Sequence, residues 1–172
     1  MKGFIHIYCG DGKGKTTAAV GLAVRASADG KKILFSQFLK DGTSGELTRL
    51  KQIEEITVLP EEQTFGFTFS MTEEEFEQAE VYYNQKLCKI ISIAKNYDMV
   101  ILDEFMAAYN KKLIDNKIAI QFLKEKPEAL EIVLTGRNPD QSLLKMADYV
   151  TEMKKIKHPF DSGISARKGI EY

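Results

Sequence analysis

Short apolar segments alternate with longer amphipathic segments along most of this chain. The apolar segments favour β-strands at residues 4–8, 33–38, 56–59, 99–102, 132–134 and 149–153. The segments between them have apolar residues at helical spacing and predict helices at residues 15–28, 46–53, 72–95, 115–124 and 140–146. Strands that alternate with helices indicate an α/β fold with a doubly wound, mainly parallel sheet of about six strands. Because 172 residues are typical of one domain, we expect a single domain spanning residues 1–172.

The longest predicted helix has a recognisable beginning. Thr72 is followed three residues later by Glu75, which is the spacing of a capping box. The acidic first turn, from Glu73 to Glu75, also suits the positive end of a helix dipole. We therefore predict that this helix begins next to Thr72.

The most informative stretch lies between the first predicted strand and the first predicted helix. It reads Cys9-Gly10-Asp11-Gly12-Lys13-Gly14-Lys15-Thr16-Thr17. Glycines let several backbone N–H groups point inward, and the positive end of the following helix adds to their field. These features predict a phosphate-binding loop in which Lys15 reaches the outer phosphates and the Thr16 hydroxyl binds Mg²⁺. Cys9 stands where the usual pattern has its first glycine, so the loop is a variant.

Polar residues also follow three other strands. Asp103 and Glu104 end the fourth strand, where P-loop proteins place acids that support Mg²⁺ or orient a nucleophile. Arg137 follows the fifth strand and has a planar guanidinium suited to phosphate oxygens. Gln37 and Lys40 end the second strand, where they are either ligand contacts or ordinary loop residues. Ligands of doubly wound sheets bind beyond the carboxyl ends of the strands, so we expect one shared site.

Composition and charge narrow the possible functions. Lys and Arg number 24 against 25 Asp and Glu, and this balance gives no electrostatic argument for binding nucleic acid or an acidic membrane surface. No apolar run approaches the length that spans a membrane. Cys9 and Cys88 have neither metal-site nor disulfide spacing. The first strand begins close to Met1, so no signal peptide is expected and we predict a cytoplasmic protein.

Three phenylalanines, Phe65, Phe67 and Phe69, alternate along one predicted connection. Alternating aromatics at this spacing usually pack one face of a segment on a core. They also suit an apolar wall for a large, flat ligand. The residues alone leave both interpretations open.

The motifs taken in order resemble the P-loop class of ATP:corrinoid (cob(I)alamin) adenosyltransferases. The loop from Gly10 to Ala19 is similar to theirs, including the missing first glycine, although Asp11 stands where many members have asparagine. Phe69 replaces a more common tryptophan. The further motifs, which extend the resemblance over nearly the whole chain, are Gln37-Phe38-Leu39-Lys40, Gly66-Phe67-Thr68-Phe69, Leu102-Asp103-Glu104, Thr135-Gly136-Arg137, Ala147-Asp148, Lys157-His158-Pro159-Phe160, Gly163 and Gly169-Ile170-Glu171-Tyr172.

The resemblance implies a P-loop architecture of the RecA-like kind and a transfer reaction. The 5′-deoxyadenosyl group of ATP would move to Co(I) of a corrinoid, with Mg²⁺ as the metal and triphosphate as the leaving group. ATP would lie reversed relative to ordinary P-loop enzymes, which presents C5′ to the corrinoid. An electron-donating reductase and a homodimer are also implied. Longer members have an amino-terminal helical extension that helps cover the site, whereas only Met1-Lys2-Gly3 precede the first strand here, so closure over the corrinoid would need the help of a second subunit.

The resemblance also assigns expected roles to individual residues. The residues expected to bind ATP are Gly10, Asp11, Gly12, Lys13, Gly14, Lys15, Thr16, Thr17, Gln37 and Arg137. The residues expected at the metal are Thr16, Asp103 and Glu104. The residues expected to act in catalysis are Lys15, Arg137, Phe67 and Phe69. The two phenylalanines would exclude the lower axial ligand and leave cobalt four-coordinate.

Two other functions are compatible with parts of the sequence. One is a different P-loop ATPase or a small-molecule kinase, in which Asp103 and Glu104 would serve metal binding and activation of water or a hydroxyl group. The other is a module that binds nucleotide and corrinoid without turnover. The aromatic series and the carboxy-terminal motifs favour the adenosyltransferase over a kinase, which does not need them.

Overall fold

Strands and helices alternate along the chain in a computed structural model that describes residues 2–66 and 71–171. The strands are β1 Ile5–Cys9, β2 Ile33–Gln37, β3 Ile56–Val58, β4 Met99–Asp103, β5 Glu131–Thr135 and β6 Tyr149–Glu152. The α-helices are α1 Lys15–Ser27, α2 Gly45–Leu50, α3 Glu73–Ile93, α4 Phe105–Asn110, α5 Asn116–Glu125 and α6 Gln141–Met146. Two short 3₁₀ helices occupy Ala94–Asn96 and Pro159–Ser162.

The strands form a single six-stranded sheet in the order β3-β2-β4-β5-β1-β6. Every strand pair in this sheet is parallel, which confirms the predicted fold class and sharpens "mainly parallel" to fully parallel for the described residues. Strand β5 lies between β1 and β4, and β4 lies between β5 and β2. The order therefore brings the carboxyl ends of β1, β5, β4 and β2 side by side.

Helices cover both faces of the sheet, as expected of a doubly wound fold. One face packs on α1 and α2 through a small core that includes Ala19, Ala23, Phe35 and Leu50. The opposite face carries a larger core, to which α3, α4, α5 and α6 contribute Tyr83, Leu87, Phe105, Phe122 and Leu143. The central strands β2 and β4 are buried along their whole length. Their end residues are therefore held rigidly at the edge of the sheet.

The helix beginnings follow local chemistry. The Thr72 side chain accepts a hydrogen bond from the Glu75 N–H, and the Glu75 side chain accepts one from the Thr72 N–H, so the predicted capping box is confirmed. Asp115 and Asp140 cap α5 and α6 by accepting bonds from backbone N–H groups. Among the described helices none combines the length and apolar character needed to cross a membrane.

The helix α4 was not predicted from the sequence. It has only six residues, and the residue before it, Glu104, has no side-chain capping bond and a left-handed backbone with φ of 57°. The usual signals for a helix start are therefore missing there. The helix α4 nevertheless buries Phe105, Met106, Ala108 and Tyr109 and places Glu104 at the edge of the site.

Candidate active site

The loop after β1 turns directly into helix α1. Gly14 precedes the helix with φ of 115°, a conformation that a residue with a side chain rarely adopts. Because Gly14 has no side chain to cap the helix, the N–H groups of the first turn remain free to bind an anion. Lys15 and Thr16 follow in that turn. The local structure therefore has the geometry of an anion-binding loop, and phosphate binding there stays a prediction.

The same loop packs closely on the chain that follows β6. The Gly12 N–H donates to the Met153 carbonyl at 2.6 Å, and a Cβ atom built on Gly12 would lie 2.6 Å from that oxygen. A side chain at this position would therefore separate the loop from residues 153 and 154. Sequence reasoning recognised Gly12 as part of the loop, but it did not identify Met153, which lies just after the exposed edge strand β6.

Lys15 is almost fully buried at the base of the loop. Its Nζ donates to the Gly12 carbonyl at 2.9 Å and so lies along the inside of the loop. Burial lowers the pKa of the Lys15 ammonium, and the positive charge of Arg137 lowers it further. The carboxylates of Glu104, Asp11 and Asp103 oppose this shift. A negatively charged ligand in the loop would relieve the repulsion between the two cations.

Asp103 is the centre of the hydrogen-bond network at the edge of the sheet. It is fully buried at the end of β4 and accepts four hydrogen bonds through its two oxygens. The donors are Thr16 Oγ1 at 2.8 Å, Thr135 Oγ1 at 2.7 Å, Gln37 Nε2 at 3.1 Å and Lys40 Nζ at 2.9 Å. One carboxylate thus connects the loop with the ends of β2 and β5. Sequence reasoning named Thr135 only as part of a motif, because it cannot show that β5 is the neighbour of β4.

Glu104 has a different environment from its neighbour. Its N–H donates to Thr135 Oγ1 at 2.9 Å, and its backbone lies in the left-handed region. Burial raises the pKa of the Glu104 carboxyl, and the charge of Asp103 raises it further, against the opposing effects of Lys40, Lys15 and Arg137. A strained backbone and a destabilised carboxylate are features that accumulate at functional sites.

Lys40 and Glu46 complete the network on the β2 side. Gln37 Nε2 donates to Glu46 Oε1 at 3.1 Å, and Lys40 Nζ lies 3.9 Å from the same oxygen. Burial is the largest single effect and lowers the pKa of Lys40, but the ion pair with Asp103 and the charges of Glu46 and Glu104 together outweigh it and raise the pKa. Both Gln37 and Lys40 are thus drawn into the site, and Glu46 is a member that sequence reasoning missed.

Arg137 lies on the opposite side of the network, beyond the end of β5. Its side chain is exposed, and its charge acts on both Lys15 and Glu104. The backbone carbonyls of Arg137 and Asn138 accept hydrogen bonds from Asn110 Nδ2 at 3.3 and 2.9 Å, which fixes the turn to the end of α4. The structure therefore brings Arg137 to the same edge as the loop.

A cleft of about 1180 Å³ opens beside the loop. It begins at Thr16 and Thr17, passes Val20 of α1, and is bounded by the chain after β2, by α2 and by the carboxy-terminal tail. Phe65 and Gly66, which precede Phe67 and Phe69 in the chain, also line the cleft. The volume exceeds the 300–1000 Å³ or so of a typical small-molecule pocket.

The predicted site residues fall into three groups. Lys15, Thr16, Gln37 and Asp103 are joined by direct contacts through the loop and the Asp103 network. Glu104 and Arg137 lie at the same edge, and the exposed side chains of Asp11, Lys13 and Thr17 lie on the loop and first turn of α1. Phe67 and Phe69 lie outside the described residues, and their predicted role stays a prediction.

The donor set at the loop is suited to Mg²⁺ rather than to a softer metal. It consists of the Thr16 hydroxyl and the Asp103 and Glu104 carboxylates, whose oxygen atoms are the kind of ligand that Mg²⁺ prefers. No cluster of three or more His, Cys, Asp or Glu side chains is arranged to hold a metal within residues 2–66 and 71–171. Mg²⁺ in nucleotide sites needs only one or two protein ligands, because phosphates and water complete its shell.

The parallel sheet, the phosphate-binding loop and the acidic end of β4 define this chain as a P-loop protein. Two solved structures share the fold. EssC (ATPases 2 and 3) from Geobacillus thermodenitrificans matches with a TM-score of 0.51 and 14% sequence identity. Thermomonospora curvata EccC (ATPases 2 and 3) matches with a TM-score of 0.50 and 10% sequence identity. The matches cover 97% and 91% of this chain but only 35% and 32% of those longer chains. At such low identity the likeness shows the fold alone.

Sequence comparison gives the family within this class. The family model for ATP:corrinoid adenosyltransferase BtuR/CobO/CobP matches residues 1–172. The corrinoid adenosyltransferase of Escherichia coli (strain K12) is 37% identical over 175 residues, which cover 99% of this chain and 86% of that protein. The corrinoid adenosyltransferase of Sinorhizobium sp is 36% identical over 177 residues, which cover 99% of this chain and 81% of that protein. This chain belongs to the ATP:corrinoid adenosyltransferase family and is a transferase.

Proposed function

We propose that this protein transfers the 5′-deoxyadenosyl group of MgATP to the Co(I) centre of a corrinoid and releases triphosphate. The observation that carries the proposal is the continuous cleft. It joins the first turn after the phosphate-binding loop, at Thr16 and Thr17, to Phe65 and Gly66 at the start of the aromatic segment. A nucleotide held at one end and a corrinoid at the other would meet within this cleft.

The reaction requires one bond to form and one to break. Co(I) supplies the electron pair of the new cobalt–carbon bond to C5′, and the C5′–O bond breaks with its electron pair leaving on triphosphate. The substrate itself is the nucleophile, so no side chain needs to attack or to remove a proton. The task of the protein is to orient ATP and to stabilise the charge that gathers on the leaving group.

The residues at the edge of the sheet suit that task. The N–H groups of the loop and the first turn of α1 would bind the triphosphate together with Lys15. Arg137 would approach the same phosphates from the end of β5 with a planar fork of donors. Thr16, Glu104 and Asp103 would hold Mg²⁺, which supplies charge that offsets the negative triphosphate. Asp103 already accepts four hydrogen bonds, so Glu104 is the acid with more freedom to meet the metal.

The aromatic segment would serve the cobalt side of the cleft. Phe67 and Phe69, which follow Phe65 and Gly66 in the chain, would form an apolar wall that offers no donor atom to cobalt. Such a wall would exclude an axial ligand and make Co(II) easier to reduce. We further propose that a separate reductase delivers this electron, that the chain acts as a homodimer, and that the reaction takes place in the cytoplasm.

The proposal is tested by incubating the protein with MgATP and chemically reduced cobalamin without oxygen. The expected product is a light-sensitive corrinoid with a cobalt–carbon bond, which is followed by its visible spectrum before and after illumination. ATP hydrolysis without a new corrinoid species would instead indicate an ATPase or a kinase. Tight binding of both ligands with no product would indicate a binding module.

A further inference from the structure

One face of helix α3 contacts two segments that border the cleft. Tyr83 accepts a hydrogen bond at its hydroxyl from the Leu39 N–H at 3.2 Å, just beyond the end of β2. Tyr82 and Tyr83 also pack on Phe65, with ring centroids 5.6 and 5.8 Å away. The helix therefore lies behind both the nucleotide side of the cleft and the start of the aromatic segment.

Lys86, one turn further along α3, connects these two segments directly. Its Nζ donates at 2.5 Å to the Gln37 carbonyl at the end of β2 and at 2.5 Å to Glu61 Oε1. The side chains of Lys86 and Glu61 are each only 4% exposed. The Gln37 side chain in turn donates to Asp103, so one ammonium joins the Asp103 network to the segment that contains Phe65.

Two aromatic side chains enclose the ion pair. The Lys86 ammonium lies 5.3 Å from the centre of the Phe38 ring. The Tyr82 hydroxyl donates to Glu61 Oε1 at 2.7 Å and accepts from the Glu62 N–H at 3.0 Å. Burial raises the pKa of Tyr82 to about 12, and its bond to Glu61 acts in the same direction. Residues 61 and 62 are thus anchored through both a side chain and the backbone.

Stability alone is a weak reason for such a pair. The cost of removing two charges from water often equals or exceeds their attraction, and apolar residues of similar volume commonly stabilise a protein as well. What the pair does provide is a constraint on the distance between two chain segments, because separating them would leave two buried charges unpaired. Neither Lys86 nor Glu61 lines the cleft. The pair lies behind the end of β2 and the segment that leads to Phe65.

We propose that Lys86 and Glu61 are positioning residues that hold residues 61–65, which precede Phe67 and Phe69 in the chain, at a fixed distance from the end of β2. They thereby set the width of the cleft on its corrinoid side. This inference rests on the proposed function, because it assigns the corrinoid to the end of the cleft near Phe65. Neither residue is expected to touch a substrate.

The first test removes the charge of Glu61 and keeps its shape. For Glu61→Gln we expect the KM for the corrinoid to rise about tenfold while the KM for ATP stays within about twofold, since small displacements of a substrate wall have effects of this order or larger. Tyr82→Phe, which removes only a hydroxyl, should raise the KM for the corrinoid by a smaller factor. The matched control is Glu62→Gln, whose carboxylate meets Lys89 at 3.2 Å in an exposed pair and should leave both KM values unchanged.

The second test separates positioning from simple stability. In Glu61→Gln the buried ammonium of Lys86 loses its partner, so the denaturation midpoint should fall. In the double variant Glu61→Gln/Lys86→Met both charges are absent, and much of the lost stability should return. The corrinoid KM should nevertheless stay high in the double variant, because nothing then fixes the segment. A corrinoid KM that recovers together with stability would overturn the proposal, as would ATP and corrinoid KM values that rise together.

Binding measurements test the role of the ion pair independently of the proposed reaction. If the wild type forms no adenosylated corrinoid, the proposed function fails, but dissociation constants for ATP and for cob(II)alamin still test the pair. The expected result is weaker cob(II)alamin binding in Glu61→Gln with unchanged ATP binding. Unchanged binding of cob(II)alamin, or a wild type that binds no corrinoid at all, would refute the positioning role.

Discussion

At the scale of single residues, the two neighbouring acids at the end of β4 have different tasks. Asp103 is fully buried and accepts hydrogen bonds from four side chains in three parts of the chain, so it fixes the shape of the site. Glu104 has a left-handed backbone and a raised pKa, and is thus maintained in an unfavourable state. Such strain is more consistent with binding a cation than with stabilising the fold.

Glu104→Gln should therefore stabilise the protein at neutral pH and reduce its activity. Because the folded pKa of Glu104 is raised above its ordinary 4.5, its contribution to stability is fully present below pH 4.5 and is lost as the pH rises through the folded pKa. The stability of the variant relative to the wild type should consequently increase over that window and then level off. Urea denaturation of both proteins between pH 4 and 8 measures this difference, with exposed Glu77→Gln as the control. A difference in stability between the variant and the wild type that stays constant with pH would contradict the raised pKa of Glu104.

Lys15 shows the same conflict between stability and function. Burial and Arg137 both disfavour its charge, so Lys15→Gln should leave the fold intact. The rate of adenosylation should nevertheless fall about 10²- to 10³-fold, as is typical when one group that stabilises transition-state charge is removed. The measurements are kcat with saturating MgATP and the denaturation midpoint, compared with Lys31→Gln in the exposed turn after α1. A loss of activity matched by unfolding would mean that Lys15 is structural.

At the scale of elements, the loop and the chain after β6 act as one unit. In Gly12→Ala a Cβ atom would lie 2.6 Å from the Met153 carbonyl oxygen, so the loop must move away from the tail. We expect a loss of about 1–3 kcal/mol of stability, as for other overpacked sites, together with a raised KM for ATP.

Gly21→Ala is the matched change within α1. Gly21 is exposed in the middle of the helix, and a Cβ atom there meets no described atom within 4 Å. Alanine should stabilise the helix by about 0.5–1 kcal/mol and leave the KM for ATP unchanged. Equal effects of the two substitutions on stability would mean that the contact between the loop and the tail is not a constraint.

The predicted role of Phe67 concerns the reduction of Co(II), which precedes the transfer of the adenosyl group. Phe67→Ala should slow product formation from Co(II) far more than from chemically pre-reduced Co(I), because an apolar wall matters only while cobalt must lose its axial ligand. The assay compares the two starting corrinoids with the same variant, MgATP and reductant. An equal loss from both would make Phe67 a packing residue.

The sequence predicted where the strands and helices lie along the chain more reliably than which of them are neighbours in space. The apolar segments predicted all six strands to within about two residues at each end, because buried parallel strands are nearly continuous apolar runs. The helix α4 escaped prediction because Glu104, the residue before it, provides no side-chain cap. Thr135, Glu46 and Lys86 join the site only through the order of the strands and the path of α3, which no local pattern encodes.

At the scale of the whole molecule, one cleft explains why a phosphate-binding loop and an aromatic segment occur in one small chain. The loop would hold the triphosphate that departs, rather than a terminal phosphate under attack. In an ATPase or a kinase, by contrast, the nucleophile attacks the terminal phosphate and ADP is released. The nature of the phosphate product therefore distinguishes this transferase from other P-loop enzymes.

The most direct test is to quantify the phosphate released for each corrinoid adenosylated. With MgATP and cob(I)alamin under anaerobic conditions, phosphorus NMR of the quenched reaction should show one triphosphate for each light-sensitive adenosylcorrinoid formed. Triphosphate should not appear when the corrinoid is omitted. Release of ADP and orthophosphate in place of triphosphate would contradict the proposed function.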